Sequence, residues 1–316
     1  MNIIIKTPNY IGDTIMMLPA LFLLQDSYKE AKFTVVCKPY FEQLFRGLDI
    51  HHFIIDNTRE TKRVSRSISL IKAIRQESYD LGVLFHNALS SALFFKLAKI
   101  DKIIGYNHDA RGFLLTYAPK INRSRHYINH YANLVNNYLE KPYKKLPPVK
   151  LHSKKQTYFK KSSSPTIALV LGSDKGARGY PRDLSQSLAR LLANIPYQIL
   201  LLGDNNDIPS NALYADAIPS AINLTGKTDI SGFIDIIADV DLLVTIDTSA
   251  LHIAAATNTN FVALLGQGTS AFSVIKPKVS FGSYLFRGED CLIDSDQIRM
   301  ISPQMILSEI EKRLHT

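Results

Sequence analysis

The chain has 316 residues, 46% of them hydrophobic, and a formal net charge of +9. This length exceeds what one hydrophobic core usually serves, so we expect two globular domains. We find no apolar run of about 18 residues that would cross a bilayer, no secretory signal pattern at the N-terminus and no metal-ligand spacing of the two cysteines, and we expect a reduced, cytoplasmic chain.

The charge is divided unevenly along the sequence. Residues 1–160 contain 25 Lys and Arg against 12 Asp and Glu, whereas residues 161–316 contain 12 against 16. A basic half suits nucleic acid, an anionic membrane surface or a phosphorylated substrate. It also suits simple solubility, so charge alone leaves these alternatives open.

The first half alternates short β-branched runs with helical patterns, which indicates βαβ units and a parallel sheet. The predicted strands are 2–6, 33–37, 52–56, 81–85 and 102–106, and the predicted helices are 13–27, 39–46, 64–77, 88–98 and 126–140. A stretch rich in Pro, Lys and Ser follows at 140–166 and is typical of an interdomain linker.

The second half repeats the pattern. Its predicted strands are 166–171, 197–202, 221–224, 241–246 and 260–265, and its predicted helices are 183–194, 231–238, 249–257 and an amphipathic terminal helix at 302–314. We therefore predict two doubly wound α/β domains in tandem. Ligands of such sheets bind beyond the carboxyl ends of the strands, and in a two-domain chain those ends can face one another across a cleft.

The first candidate segment, IGDTIMMLPAL (11–21), follows the first strand. Gly12 permits close approach of the backbone, and Asp13 opens the first helix. Asp13 is either the N-cap of this helix or a catalytic base at the strand end. Its spacing alone favours the cap.

The second segment, LGSDKGARGYP (171–181), joins a strand to a helix through a glycine-containing loop. The loop carries Lys175 and Arg178. Backbone amides together with cations suit a diphosphate, and a solvated turn is the alternative.

The third segment is IDTSALHIAAA (246–256). A buried strand ends on Asp247, Thr248 and Ser249 start a helix of small residues, and His252 lies one turn in. Hydroxyls and free amides at a helix start form an anion site. Capping is the alternative for Asp247 and Thr248, and a satisfied, partly buried histidine is the alternative for His252.

Signals for other chemistries are weak. The sequence contains no HExxH, CxxC, G-x-S-x-G or GxGxxG pattern. The acidic DSD at 294–296 stands in a late polar stretch rather than after a core strand. These patterns argue against a metal site, a serine nucleophile and a dinucleotide cofactor.

In this order and spacing, the segments resemble glycosyltransferase family 9, the bacterial ADP-heptose:lipopolysaccharide heptosyltransferases. IGDTIMMLPAL is similar to the family's Gly-Asp opening with its Pro-Ala-Leu. GSDKGARGYP (172–181) is similar to its Lys-x-Trp-Pro loop, and DTSALHIAAA (247–256) to its Asp-Ser/Thr-Gly-x-x-His-x-Ala-Ala element. NLTGKTDI (223–230) resembles a further family element, and the likeness spans about residues 1–270.

The resemblance implies a GT-B fold of two Rossmann-like domains that face each other across a cleft. Residues 1–155 would bind the acceptor, residues 156–301 would bind the nucleotide sugar, and the terminal helix at 302–316 would pack back on the first domain. The implied enzyme needs no metal or other cofactor. Its partners would be ADP-heptose and a phosphorylated, Kdo-bearing lipopolysaccharide core, with peripheral contact at the inner face of the inner membrane.

The resemblance also implies residue roles in an inverting displacement. Asp13 would deprotonate the acceptor hydroxyl, and Arg178 would stabilise the departing ADP. The implied donor-binding residues are Gly172, Ser173, Lys175, Gly203, Asp207, Thr228, Asp247, Thr248, Ser249 and His252. Beside Gly12, the basic cluster after strand 52–56 is the candidate for acceptor anions, or else a solvated helix start: Arg59, Lys62, Arg63 and Arg66.

Two departures from the family pattern keep alternatives open. Ser249 replaces a Gly of the family, and Arg178 replaces its Lys. One alternative is a catalytically weak nucleotide-sugar-binding protein on the same scaffold. The other is a family member that uses a different nucleotide sugar.

Overall fold

The computed structural model describes residues 1–58, 63–154, 156–172, 179–266, 271–286 and 297–315. The chain divides into two compact units. The first comprises Met1–Lys150 with Ser273–Ile275, and the second comprises Leu151–Phe272 with Lys276–Thr316. The main boundary therefore falls inside the stretch that the sequence predicts as a linker.

The first unit is built around a parallel sheet. Its strands are β1 (Asn2–Lys6), β2 (Lys32–Cys37), β3 (His52–Ile55), β4 (Leu81–Leu84) and β5 (Lys102–Gly105). They lie in the order β3-β2-β1-β4-β5. Ile3, Ile4 and Ile5 are fully buried, as expected for a central strand of a parallel sheet that helices cover on both faces.

In the described part of this unit, four helices cover the sheet. They are α1 (Ile11–Ser27), α2 (Arg63–Ile74), α3 (Leu89–Leu97) and α4 (Tyr127–Tyr138). Helix α1 packs against α4, and α2 contacts α3. The helix predicted at 39–46 is instead a short 3-10 segment, Phe41–Phe45, because left-handed Tyr40 (φ 69°) precedes it and leaves room for little more than one turn.

The second unit holds another parallel sheet. Its strands are β6 (Thr166–Val170), β7 (Gln198–Leu201), β8 (Ile222–Asn223), β9 (Leu242–Ile246), β10 (Phe261–Leu264) and β11 (Ser283–Leu285). They lie in the order β11-β10-β9-β6-β7-β8. In both sheets the strand order reverses beside the first strand, between β1 and β4 and between β6 and β9. Such a reversal is where doubly wound sheets bind ligands.

Among the described residues, the helices of the second unit match the predicted ones closely and add α6. They are α5 (Arg182–Leu192), α6 (Ile208–Ala217), α7 (Ile230–Asp239), α8 (Ser249–Thr257) and α10 (Pro303–Leu314). The one-turn helix α9 (Phe272–Ile275) lies at a boundary, since Ser273–Ile275 belong to the first unit. Neither α6 nor α9 is predicted from the sequence pattern. Pro209 in the first turn of α6 suits a helix start, but the helix buries only two side chains fully and so lacks a strong apolar stripe.

The terminal helix α10 belongs to the second unit. Ser302 caps it by accepting a hydrogen bond from the Met305 amide at 3.3 Å, and its stripe of Ile306 and Ile310 is fully buried in the core of that unit. Tyr180 donates a hydrogen bond to the carbonyl oxygen of Ile301 at 2.7 Å, just before the helix. The prediction that this helix packs on the first domain is therefore corrected.

Candidate active site

A cavity of about 610 Å³ lies in the first unit, beyond the carboxyl ends of β1, β4 and β5. This position is the point where the strand order of the first sheet reverses. Its size is in the range of small-molecule sites. The lining residues are Pro8, Asn9, Tyr10, Asp13, Phe85, His86, Asn87, Ala88, His108, Asp109, Ile121, Asn122, Arg123, Arg125, Tyr127, His130 and Tyr131.

Asp13 projects into this cavity from the first turn of α1. The N-cap of α1 is Tyr10, which makes no side-chain capping bond, and Asp13 is the third helical residue. The interpretation of Asp13 as the N-cap is therefore wrong. Among the described residues, no group donates a hydrogen bond to the Asp13 carboxylate or forms an ion pair with it.

Burial governs the acidity of Asp13. It raises the pKa of this carboxyl from 3.8 to about 6, because the low-polarity surroundings disfavour the charged form. Tyr131 of α4 is buried beside it, and its own pKa is raised well above the usual value by burial and then by the Asp13 charge. A carboxyl of this kind is ionised at neutral pH yet holds a proton more readily than an exposed one.

His86 links two loops of the cavity. Asn9, after β1, is hydrogen-bonded through its amide nitrogen to Nε2 of His86, which follows β4. With Nε2 as the acceptor, Nδ1 carries the hydrogen of a neutral ring and bonds to Ser91 Oγ at 2.7 Å. The ring is thereby fixed in one orientation at the cavity wall.

Arg111 holds the loop after β4 from below the cavity surface. It is fully buried. Its guanidinium donates to the carbonyl oxygens of Tyr106 at 3.0 Å, Ala88 at 3.4 Å and His86, and to Asn87 Oδ1 at 2.9 Å. Burial lowers its pKa to about 10, so it stays charged at neutral pH while four neutral oxygens compensate it.

Helix α4 supplies an aromatic wall. Its His130 stacks on Tyr106 with ring centroids 4.0 Å apart, and Tyr106 donates a hydrogen bond to the His130 carbonyl oxygen at 2.7 Å. Burial, and then the charge of Arg125, lowers the pKa of His130 to about 4. His130 is therefore neutral near pH 7 and adds no positive charge to the cavity.

Basic side chains also line the cavity. Arg123 donates from Nη2 to Nε2 of His108 at 3.2 Å, which places the hydrogen of a neutral His108 ring on Nδ1. That Nδ1 atom is buried, and within the described part of the chain it has no hydrogen-bond partner. Arg123 and half-buried Arg125 therefore offer donors to a hydroxyl-rich or anionic ligand, whereas the buried His108 Nδ1 does not face one.

In the second unit, the predicted donor residues follow the carboxyl ends of the strands. Gly172 follows β6 and Gly203 follows β7, and a Cβ on either would collide with the carboxylate of Asp207. Asp207 in turn accepts a hydrogen bond from the Asp204 amide at 3.0 Å, one half of a capping box. These three residues fit together as a built turn, with Thr228 half-buried in the loop before α7.

The motif after β9 has the predicted layout. Thr248 is the N-cap of α8 and makes no side-chain capping bond, while Ser249 is the first helical residue. Thr248 Oγ1 lies 3.4 Å from the hydroxyl of Thr245. Asp247 directly follows β9, and His252 is buried one turn into the helix. Within the described residues, the Thr248 side chain thus does not cap the first amides of α8.

Several predicted residues lie outside the described residues: Ser173, Lys175, Arg178, Arg59 and Lys62. Arg63 opens α2, and only its place in the helix is described. Arg66 lies in the next turn of α2 and does not line the cavity. Gly12 directly precedes Asp13 and does not line the cavity either. The structure thus brings neither Arg66 nor Gly12 to the cavity wall.

Sequence reasoning missed most of the cavity. His86 and Asn87 directly follow the predicted strand 81–85, and Asn107, His108 and Asp109 follow the strand 102–106. Polar and ring nitrogen groups directly after two strands of a doubly wound sheet are a signal that could have identified this edge.

No described helix is long and apolar enough to span a membrane. Within the same residues, no group of three or more His, Cys, Asp or Glu side chains is placed to hold a metal ion.

Comparison with known families decides the assignment. The profile described as glycosyltransferase family 9 (heptosyltransferase) matches residues 67–275, more than half of the chain. The chain belongs to glycosyltransferase family 9. It is therefore a glycosyltransferase, as the three sequence segments predict.

Similar proteins align with this family 9 glycosyltransferase over almost its whole length. Lipooligosaccharide heptosyltransferase 2 of Haemophilus influenzae is 25% identical over 361 aligned residues, which cover 99% of each chain. The structure of the E. coli ADP-heptose LPS heptosyltransferase II has a TM-score of 0.85 at 23% identity, over 99% of this chain and 98% of that one. The E. coli heptosyltransferase WaaC with ADP-2-deoxy-2-fluoro heptose has a TM-score of 0.79 at 16% identity, over 99% of both chains.

These likenesses confirm the predicted fold class. Two doubly wound α/β units in tandem, the GT-B fold, characterise both this family 9 glycosyltransferase and the heptosyltransferase structures that it matches. The roles of individual residues stay predictions, which the following proposal takes up.

Proposed function

We propose that this family 9 glycosyltransferase moves a heptose from ADP-heptose to an inner-core acceptor of lipopolysaccharide, with Asp13 as general base. The names of its relatives support the donor and the acceptor class, since those proteins are heptosyltransferases of lipopolysaccharide or lipooligosaccharide. The chemistry is inferred from the cavity of the first unit.

One observation carries the proposal: the Asp13 carboxylate lines a ligand-sized cavity and lacks a donor among the described residues. A general base must keep a free lone pair for the proton that it takes, and its pKa should lie near the working pH. Burial raises the pKa of Asp13 to about 6. At pH 7 the group is mostly ionised and accepts a proton more readily than an exposed carboxylate.

The proposed step is a single displacement. The Asp13 carboxylate takes the proton of the acceptor hydroxyl, whose oxygen bonds to the anomeric carbon of the heptose. The bond between that carbon and the diphosphate oxygen breaks, and ADP leaves with the electron pair. Attack opposite the leaving group inverts the anomeric configuration.

The second unit is proposed to bind the donor. The departing diphosphate gains negative charge, and fixed donors and cations that oppose this charge usually give a large part of the rate enhancement. We assign this role to the first amides of α8 with Thr248 and Ser249, to Arg178, and to Ser173 with Lys175. No metal ion is part of the proposal.

The acceptor is proposed to enter the cavity of the first unit. Arg123 and Arg125 line the cavity and offer hydrogen-bond donors and positive charge there, which suits a phosphorylated or acidic sugar. The net basic charge of residues 1–160 also suits peripheral contact with an anionic membrane.

The test is turnover with ADP-heptose and a synthetic core acceptor, beside ADP-, UDP-, GDP- and CDP-hexoses, each with and without EDTA. We expect ADP-heptose to be preferred, EDTA to change little, and NMR of the product to show the inverted anomer. A different preferred nucleotide would overturn the donor assignment, and loss of turnover in EDTA restored by one metal would overturn metal independence. Tight donor binding without turnover on any core acceptor would instead favour a binding protein.

A further inference from the structure

Helices α2 and α3 lie together on one face of the first sheet. Leu70 and Ile74 of α2 and Ala92 and Phe95 of α3 share one buried cluster with residues of the strands, and the two helices contact each other. The core-facing positions of both helices are thus already filled by these residues. Ala73 of α2 and Phe94 of α3 are partly buried and pack against the same cluster.

Both helices nevertheless carry apolar side chains that point to solvent. On α3 these are Leu89, Leu93 and Leu97, four residues apart, and Leu97 is 50% exposed. On α2 they are Val64, which is 76% exposed, and Ile68. Phe113 belongs to the 3-10 segment Gly112–Leu114, which contacts α3, and it is 80% exposed. We call these six residues the apolar ridge.

A single exposed leucine needs no explanation, but stripes at helical spacing on two touching helices do. Exposed apolar patches of this kind mark surfaces that bind a partner or a membrane. In water each side chain keeps apolar area hydrated at a cost in free energy. The ridge therefore indicates a contact that lies outside the folded chain.

The charge around the ridge selects the partner. Residues 61–76 and 81–100 contain no Asp or Glu, and the Asp109 carboxylate accepts the Leu89 amide at the cavity end of the ridge. Lys72 on α2 and Lys96 on α3 are exposed. A second copy of this chain docked by the same face would bring like charges together, which is unfavourable. An anionic lipid surface accepts apolar side chains and attracts Lys and Arg at once.

We propose that the apolar ridge docks this chain on the surface of an anionic lipid bilayer. Leu, Val, Ile and Phe side chains enter the interface between headgroups and acyl chains, and the lysines contact the anionic headgroups. The docking is peripheral, because these side chains reach only the outer part of a leaflet.

The ridge begins at the rim of the cavity. Leu89 directly follows Ala88, which lines the cavity, and the Leu89 amide donates to Asp109 Oδ2, another lining group, at 3.1 Å. A lipid-linked acceptor could therefore keep its anchor in the bilayer while its sugar enters the cavity. This last link rests on the proposed function, whereas the docking itself does not.

The first experiment measures sedimentation of the full chain with vesicles. The probe vesicles contain three parts phosphatidylcholine to one part phosphatidylglycerol, and pure phosphatidylcholine vesicles serve as the neutral comparison. We expect binding to the anionic vesicles at 0.1 M salt and about tenfold weaker binding to the neutral ones. Equal binding to both, or none to either, would overturn the proposal.

The second experiment removes the ridge and compares a matched control. Leu93→Gln with Leu97→Gln should weaken anionic-vesicle binding about tenfold. Ile208→Gln with Met300→Gln removes two apolar side chains of similar exposure from the second unit and should change binding less than about twofold. If both pairs lower binding equally, the ridge is not the docking surface.

The third experiment tests the charges. Lys72→Gln with Lys96→Gln should weaken binding about tenfold at 0.1 M salt. The effect should be much smaller at 1 M salt, because the short Debye length already screens the lysine charges. Lys150→Gln with Lys160→Gln, which removes two exposed lysines elsewhere, is the control. Light scattering should show that the wild type is not a dimer formed through the ridge. If the wild type dimerises and Leu93→Gln with Leu97→Gln abolishes the dimer, the ridge binds a second copy of the chain and not a bilayer.

Turnover on a water-soluble acceptor without a lipid separates this proposal from the proposed function. If the ridge variants lose vesicle binding but keep that turnover, docking and catalysis are separate properties, as expected. If turnover is absent while the wild type binds vesicles through the ridge, the proposed function fails and the docking stands.

Discussion

Asp13 and Asp207 make an instructive pair. Each is the third residue of a helical turn that follows a strand of a doubly wound sheet, Asp13 after β1 and Asp207 after β7. Asp207 is held in a capping box and accepts the Asp204 amide at 3.0 Å. Asp13 has no donor among the described residues, and burial raises its pKa to about 6.

The difference shows that position alone does not decide the role of a carboxylate. Amide donors around a buried carboxylate satisfy its charge and make it part of the fold. Without donors, burial disfavours the charge and leaves the group ready to take a proton. Loss of the carboxylate should therefore stabilise the chain at Asp13 and destabilise it at Asp207.

The largest expected effect is on turnover. Asp13→Asn keeps the shape of the side chain but removes the base, so kcat should fall about a thousandfold, while binding of ADP-heptose stays unchanged. Single-turnover kinetics with a core acceptor measure the chemical step. As a matched control, Asp109→Asn changes another carboxylate of the same cavity and should cost less than about tenfold; an equal loss in both would contradict the assignment to Asp13.

Arg111 tests whether the cavity loops must be held in place. Arg111→Lys keeps the positive charge, but an ammonium group cannot donate hydrogen bonds to all four oxygens that the planar guanidinium reaches. We therefore expect kcat/KM to fall about 30-fold. The fall should come with an unchanged pH profile, because Arg111 positions the loops and does not exchange the proton. Arg75→Lys, at an exposed position away from the cavity lining, is the control, and wild-type kinetics in a folded Arg111→Lys protein would show that the loops need no such support.

The smallest expected effects are on stability, and they have opposite signs. Asp13 has a folded pKa of about 6 against 3.8, so the folded state binds the extra proton between these values and stability falls as pH rises through them. At about 1.4 kcal/mol per pKa unit, less a helix-dipole term of about 0.5–1 kcal/mol, Asp13→Asn should stabilise the chain by about 2 kcal/mol at pH 7. The gain should disappear below about pH 4.

Asp207→Ala should instead destabilise the chain by about 2 kcal/mol, since it removes one half of the capping box and leaves the Asp204 amide without its acceptor. Urea midpoints at pH 7 and pH 4 compare the two variants. Destabilisation by Asp13→Asn at pH 7 would show that the carboxylate is a structural group after all.

Much of the fold could be predicted from the sequence, because strands buried on both faces are continuous apolar runs. Asp13 was found through its place between a strand and a helix. The raised pKa of Asp13 could not be predicted from the sequence, because it depends on burial by Tyr131 and other residues of α4, which lie more than a hundred positions away. The same holds for His86 and His108, which meet the Asp13 loop only once β4 and β5 pair beside β1.

The terminal helix shows a second limit. The stripe of Ile306 and Ile310 predicted an amphipathic helix correctly, but an apolar stripe does not specify which core it will cover. Contacts with the second unit settle that question, and the Tyr180 hydrogen bond to Ile301 fixes the chain just before the helix. Neither was visible as a local pattern.

The most direct test of the account is the pH dependence of kcat/KM for the acceptor at saturating ADP-heptose, from pH 4.5 to 8.5. The base must be ionised, so the wild type should rise with unit slope through an apparent pKa of about 6 and then level off. Asp13→Asn should be slow and flat across the same range. A wild-type profile that is flat from pH 5 to 8, or a step near pH 6 that persists in Asp13→Asn, would contradict the claim that Asp13 takes the proton.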